Sequence, residues 1–322
     1  MPMGEGDLLV IGGAEDKLGK RTVLKEFIER AGGPGARIAV LPTASSLGSE
    51  IIDVYAALFT RLGAAEVYGV RPETRSQSSD PAMVAELDRA TGIFITGGNQ
   101  LKLSTVIAGT PFGQAVVDAR ARGVTIAGTS AGASIQSSHM VAFGPGGATP
   151  KQRMTQVAAG LGLIPDCVVD QHFAQRNRYG RLLMIVAQSP QLLGMGVDED
   201  TAAVITRSAD GERLTVVGRG SVTIFDGREM VTDAHAARER RPILASGVVL
   251  HVLPAGAEFD LTRRVLVRSD PSVDPAEADE LAQELEEANR DLGKMARDIA
   301  AGDVSPTTLR RRIARRTRGA AR

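Results

Sequence analysis

The sequence predicts an α/β protein: a mostly parallel β-sheet with helices on both faces, then a β-rich C-terminal part and a charged helical tail. Three observations carry this. Short β-branched runs alternate with amphipathic helical patterns through the first half of the chain. Glycine-rich turns close several of those runs, where the connecting loops of a parallel sheet gather. From Ala202 to Val267 the helical spacing gives way to short strand-like segments.

Taken in order, Leu8-Leu9-Val10-Ile11 is an unbroken apolar run of the buried-strand type that ends at Gly12-Gly13. Val23, Phe27 and Ala31, four residues apart, mark a helix, and Ile38 to Leu41 form a second strand stopped by Pro42. Ile51, Tyr55, Leu58 and Leu62 share one face of the next helix, followed by a strand from Ala65 to Val70. Pro81 to Arg89 reads as a helix, Gly92 to Thr96 as a strand, and Pro111 to Arg122 as the helix leading into the run that begins at Val124. Asp166 to Asp170, Leu193 to Val197 and Val248 to Leu253 read as strands, with Asp210-Gly211 as a hairpin turn. Pro275 to Ala300 spaces Leu281, Leu285 and Leu292 near the helical period among many acids, and Leu309 to Arg322 is arginine-rich. The expected organisation is an α/β hydrolytic domain over residues 1–270 and a charged helical extension over residues 271–322.

Composition narrows the function classes. The 38 basic and 38 acidic residues balance, so the whole molecule has no general attraction to nucleic acid or to an anionic membrane. The arginine-rich end leaves a local arm for a polyanion as an alternative to a solvated basic tail. A single cysteine, Cys167, excludes an intramolecular disulfide framework and an all-cysteine metal site, and suits a reducing compartment. No apolar run approaches the roughly 18 residues of a membrane span, and Met1 to Asp7 lacks the charged and apolar regions of a signal peptide. A cytoplasmic protein without membrane attachment, metal or cofactor is expected.

The chemistry centres on Gly128-Thr129-Ser130-Ala131-Gly132, a G-x-S-x-G pentapeptide that ends an apolar strand and reads as a nucleophile elbow. A helix is expected directly after Ser130, with its free N–H groups and positive dipole end facing an oxyanion. Two more loops with chemical content fall at strand ends, Gly12-Gly13-Ala14-Glu15-Asp16-Lys17 and Gly97-Gly98-Asn99-Gln100. The N–H groups of Gly98 and Ala131 are candidates for an oxyanion hole; the alternative is that both glycine pairs are ordinary turns. Neither pair matches a dinucleotide or P-loop pattern.

Of His139, His172, His235 and His251, His172 sits at a strand end, where a general base belongs, whereas His139 is expected on the helix after the elbow. Arg176, Arg178 and Arg181 crowd the start of the helix that follows, a placement that opposes the helix dipole and suits a substrate with carboxylates; the alternative is a solvated basic face. Asp198-Glu199-Asp200 ends a further strand, and from the residues alone any of the three can orient the histidine or simply cap a turn.

The stretches Gly97 to Gln100, Gly128 to Ala133, Asp170 to Arg181 and Gly196 to Thr201, in that order, resemble the cyanophycinases. These are serine-type exopeptidases of the family that also contains the aspartyl dipeptidase peptidase E. The resemblance runs over roughly residues 5 to 268 and implies a fold related to class I glutamine amidotransferases, a homodimer and no metal. It implies cyanophycin as substrate, poly-aspartate with arginine on each β-carboxyl, released as β-aspartyl-arginine dipeptides through an acyl-enzyme. Carried over, Ser130 is the nucleophile, His172 the base and Glu199 the orienting acid, while Gln100, Asp170, Gln171, Arg176, Arg178 and Arg181 match substrate-pocket positions. In that pocket the arginines would take free carboxylates and Asp170 a cationic group. Some relatives place the acid between nucleophile and histidine, but Ala142 to Lys151 offers none, which moves the role to Glu199. Two other readings stand beside this one: a dipeptidase acting on isoaspartyl or aspartyl peptides, and a non-catalytic binding protein of the same fold. A glutamine amidotransferase is disfavoured, since the elbow holds serine and Cys167 lies on a strand without one.

Overall fold

A computed structural model describes residues 4–268; the extension expected over residues 271–322 lies outside the described residues. The chain runs β1 (Leu8–Ile11), α1 (Thr22–Arg30), β2 (Arg37–Leu41), α2 (Glu50–Arg61), β3 (Glu66–Gly69), α3 (Pro81–Ala85), β4 (Gly92–Ile95) and α4 (Gln100–Ile107). It continues with α5 (Pro111–Ala121), β5 (Thr125–Thr129), α6 (Ala131–Ser134), a ribbon of β6 (His139–Phe143) and β7 (Gln156–Ala159), β8 (Cys167–Gln171), α7 (Tyr179–Gln188) and β9 (Leu193–Val197). Strands β10 (Thr201–Ser208), β11 (Gly211–Gly218), β12 (Ser221–Asp226), β13 (Val231–Thr232), β14 (Ala245–Ser246), β15 (Val249–Pro254), β16 (Glu258–Asp260) and β17 (Val265–Arg268) complete the described part.

A nine-stranded sheet has the order β17-β16-β11-β10-β1-β5-β4-β2-β3. Strands β1 to β5 form its parallel part, with β5 between β1 and β4, and β10 continues it antiparallel beside β1. The β-rich stretch therefore extends this sheet in part. Of its other strands, β12 and β15 join β9 and β8 in a second, four-stranded sheet, and β13 pairs with β14. Pleating assigns the faces: Leu8 and Val10 of β1 enter one core with Leu103, Phe112 and Val116, whereas Leu9 and Ile11 enter another with Val23, Phe27, Tyr55 and Phe59. Helices α1 and α2 thus cover one face and α4 and α5 the other, on the side where Val169, Met195 and Val197 of the second sheet also pack. Helix α7 buries Leu182, Met184, Ile185 and Val186 on the outer side of that second sheet against Val168 and Phe225.

Several elements differ from expectation. The helix from Pro81 ends at Ala85, and turns carry the chain on to β4. Gly97 to Gln100 is not only a loop: the Asn99 side chain accepts from the Lys102 N–H at 2.9 Å and caps α4, which buries Leu103, Val106 and Ile107. The helix after Ser130 is one turn, Ala131–Ser134, because the chain departs at once toward β6; His139 lies on that strand. Arg176 and Arg178 precede α7, which starts at Tyr179, so only Arg181 lies in its first turn.

Candidate active site

The site is assembled where the two sheets meet. Three successive carbonyls at the exit of β1 receive N–H groups from the three stretches that carry the site: Ser130 donates to Ile11 O (3.0 Å), His172 to Gly12 O (2.7 Å) and Asp200, next to Glu199, to Gly13 O (2.9 Å). The glycines there have a steric reason, since a Cβ on Gly13 would strike the His172 ring and one on Gly12 the Asp198 carbonyl. Ser130 sits at φ 53°, ψ −109°, a strained backbone that presents its side chain at the turn between β5 and α6. A Cβ on Gly128 would collide with the Gly132 carbonyl, so the elbow can close this tightly only without a side chain there.

His172 Nε2 lies 3.0 Å from Ser130 Oγ and its Nδ1 lies 2.6 Å from Glu199 Oε1. The Glu199 carboxylate accepts from Nδ1–H, which leaves Nε2 free to accept the serine proton. Burial lowers the His172 pKa; the Glu199 hydrogen bond and charge oppose this, and the Arg176 and Arg178 charges reinforce it. At neutral pH the ring is a neutral base.

The three neighbouring acids have separate tasks. Asp198 Oδ1 accepts from the Ala174 N–H (3.0 Å) and Oδ2 from the Ser221 N–H and hydroxyl (3.1 and 2.9 Å), joining the His172 loop to β12. Asp200 Oδ1 accepts from the Asp16 N–H at 2.8 Å and fixes the loop after β1. Only Glu199 reaches the imidazole.

Gly97 and Gly98 pass beside the serine: a Cβ on Gly97 would lie 3.2 Å from Ser130 Cβ and 3.7 Å from its Oγ. Gly98 has φ +143°, and a Cβ there would strike the Ala44 carbonyl. Among the described residues neither the Gly98 nor the Ala131 N–H is engaged in a hydrogen bond. Because α6 has a single turn, local N–H groups rather than a long helix dipole are what this end of the site offers an oxyanion.

The expected substrate residues divide into two groups. Gln100 Oε1 accepts from Gln171 Nε2 at 2.9 Å, and Gln100 Nε2 donates to the Val141 carbonyl. Gln171 Oε1 accepts from Arg178 Nη1 at 2.6 Å. Asp170, expected to meet a substrate cation, is instead fully buried and already neutralised. It accepts from Arg181 Nε (2.6 Å) and Nη2, from Arg178 Nη1 (3.2 Å) and from the Gln171 N–H (3.0 Å). Arg181 spends its remaining fork on Gly144 O at 2.7 Å, so it too supports the wall rather than facing a ligand. Arg176 is exposed, and its guanidinium forms no ion pair among the described residues.

A further cluster had no place in the expected site. Glu15, Tyr55 and Thr129 interlock beside the elbow, with the Glu15 carboxylate accepting from Tyr55 OH and Thr129 Oγ1, each at 2.6 Å. Tyr55 was legible only as an apolar helix position, because the same heptad-like spacing serves core and site. Cys167 is buried on β8, and burial pushes its thiol up to about 12. Among the described residues no His, Cys, Asp and Glu group is arranged to hold a metal ion, and no helix is long and apolar enough to cross a membrane.

A parallel sheet with a strained serine at a strand-to-helix turn, beside a histidine and a glutamate in series, defines an α/β serine hydrolase. Residues 8–211 match the model of peptidase family S51, and the chain belongs to that family. It is 42% identical over 263 residues to the cyanophycinase of Nostoc sp., an alignment covering 81% of this chain and 87% of the relative. With the cyanophycinase of Geminocystis herdmanii it shares 39% identity over 255 residues, 79% and 93% of the two chains. A crystal structure of a peptidase from an acI-B1 Actinobacterium superposes with a TM-score of 0.59 at 23% identity, covering 81% of this chain and 99% of that one, a likeness of fold.

Proposed function

We propose that the protein is a serine-type exopeptidase that hydrolyses cyanophycin to β-aspartyl-arginine dipeptides, as a cytoplasmic homodimer. The observation that carries the chemistry is the 3.0 Å contact between Ser130 Oγ and His172 Nε2, in line with Glu199 on the far ring nitrogen. The substrate rests on the identity to cyanophycinases over about four-fifths of the chain.

In this reading His172 removes the Ser130 proton as Oγ attacks an aspartyl main-chain carbonyl. The resulting oxyanion takes the N–H groups of Gly98 and Ala131. Glu199 holds the imidazolium that forms, without itself being protonated. Collapse of the tetrahedral intermediate returns the proton from Nε2 to the leaving amine and leaves an acyl-serine. Water, deprotonated by the same imidazole, releases the acyl group and restores Oγ–H. The exposed Arg176 is one cation available to substrate carboxylates, while Gln100, Gln171, Arg178, Asp170 and Arg181 shape the wall behind it.

Product analysis with purified cyanophycin tests the proposal. Release of dipeptides alone is expected, and Ser130→Ala should abolish it while circular dichroism and melting stay unchanged. An inert wild-type enzyme, or a Ser130→Ala variant that still turns over, rejects the reading. Light scattering in solution checks the dimer.

A further inference from the structure

The loop from Gly12 to Lys17 does more than make room for His172. It brings a buried carboxylate and an ammonium group to the side of the nucleophile. Glu15 is 4% exposed, yet its carboxyl is lowered in pKa: burial pushes it up, and the Lys17 charge with the Thr129, Tyr55 and Lys17 hydrogen bonds outweighs that. Both oxygens are committed, Oε2 to Thr129 Oγ1 and Oε1 to Tyr55 OH and Lys17 Nζ at 2.9 Å.

Lys17 is the member of this cluster that still faces outward. Its side chain is 34% exposed, its Nζ also donates to Glu15 O at 3.3 Å, and it sits 5.6 Å from the centre of the Tyr55 ring. An ammonium has three N–H donors, so two on Glu15 leave one directed elsewhere. A cavity of about 330 Å³ lies there, lined by Lys17, Tyr55, Ser45, Gly98, Thr129 and Ser130 among others. His172 and Arg176 do not line it, so it approaches the serine along a different flank from the histidine wall. A lysine immobilised in advance by a buried partner loses little further freedom when it captures an anion.

We infer that Lys17, held by Glu15, is the anion-binding residue of a substrate subsite in this cavity, where it takes a carboxylate of the chain being cleaved. On the function proposed above, that group is the free α-carboxylate of an arginyl branch near the scissile bond. The inference rests on that reading for the identity of the carboxylate.

The test compares an oligomer of cyanophycin bearing free arginyl carboxylates with the same oligomer carrying arginine amides. Steady-state kinetics on both give a free-acid preference for wild type, for Lys17→Met and for Lys17→Arg. Lys17→Met should lower that preference about tenfold, through KM rather than kcat, the loss of one charge-assisted contact. Lys17→Arg should keep most of it. The double variant Glu15→Gln/Lys17→Met guards against a buried carboxylate left unpaired, and should show the same lowered preference. A preference that survives in Lys17→Met, or a loss that falls equally on acid and amide substrates, overturns the inference. Calorimetric titration with β-aspartyl-arginine and its amide reads the subsite without turnover. A wild-type enzyme that cleaves the polymer while Lys17→Met discriminates as before rejects the subsite alone. One that neither cleaves polymer nor binds dipeptide rejects both proposals.

Discussion

Replacing Asp170 by Asn separates a structural arginine cluster from a substrate-facing one. The carboxylate is fully buried and accepts from the Arg181 and Arg178 guanidiniums and the Gln171 N–H. Burial holds the Arg178 pKa down to about 10, with Asp170 opposing that shift and Arg181 and Arg176 adding to it. Asparagine keeps the size but removes the charge that offsets two cations, and turns one acceptor into an NH₂ aimed at a guanidinium. Leaving a buried charge uncompensated costs about 3–5 kcal/mol. For a domain of this size each kcal/mol lowers Tm by about 2–4 °C, so the expected fall is roughly 6–20 °C. Urea unfolding and scanning calorimetry near neutral pH measure it, with kinetics on the polymer in parallel. A variant within about 1 kcal/mol of wild type whose KM has risen sharply would refute the reasoning, since the carboxylate would then be facing substrate.

The acid limb of the pH–rate profile reports the histidine. Because burial lowers the His172 pKa, activity should persist below the ordinary value of about 6.5 and fall only as the ring protonates at lower pH. Glu199→Gln removes the partner that raises this pKa, so the limb should move further down as kcat falls, by up to about 10⁴-fold. Arg176→Gln removes a charge that lowers it, so the limb should move up; limbs that stay together would show that His172 is not the titrating base. Gly98→Ala forces a Cβ toward the Ala44 carbonyl and displaces the adjacent N–H. The expected loss is about 10²–10³ in kcat, the usual effect of one oxyanion donor, and an unaltered kcat would remove Gly98 from that role.

How far the sequence reveals this arrangement depends on range. Most of the parallel strands were legible as short apolar runs, several of them closed by glycine or proline, and Leu193–Val197 matches its expected bounds. The hairpin between β10 and β11 was legible too, but its turn is Ala209-Asp210, one residue before the expected Asp210-Gly211, with Ser208 paired to Gly211. Helix α4 was hidden because Gly97-Gly98-Asn99 has the composition of a turn, and the same Asn99 that suits a turn also caps the helix. The separate second sheet could not be read, since strand partners are long-range choices and β8, β9, β12 and β15 resemble continuations of the first. Charge was the least legible feature. Asp170 and Arg181 look like ligand-binding residues in a string of letters, and only packing shows that they satisfy one another.

Two residues of the relay and two beside it share an unusual backbone state. Ala14, Ser130, His172 and Asp200 have φ of 48°, 53°, 48° and 49°, although none is glycine. Such positions each cost on the order of 1–3 kcal/mol and persist only when neighbours over-determine them. Here the neighbours are Ile11, Gly12 and Gly13, whose carbonyls receive the N–H groups of Ser130, His172 and Asp200 in succession. Gly12 in turn donates to the Thr201 carbonyl at 2.9 Å, which closes the lattice on β10. Nucleophile, base and acid come from three separate stretches of chain, and the backbones of Ser130, His172 and Asp200, the neighbour of Glu199, are bonded to one strand end. A displacement of any one residue must therefore break a bond to a template shared by the other two. That sharing is why a relay with a strained serine can be rigid without a disulfide, and why the small residues of Gly12-Gly13 belong to the site although neither carries a reactive group.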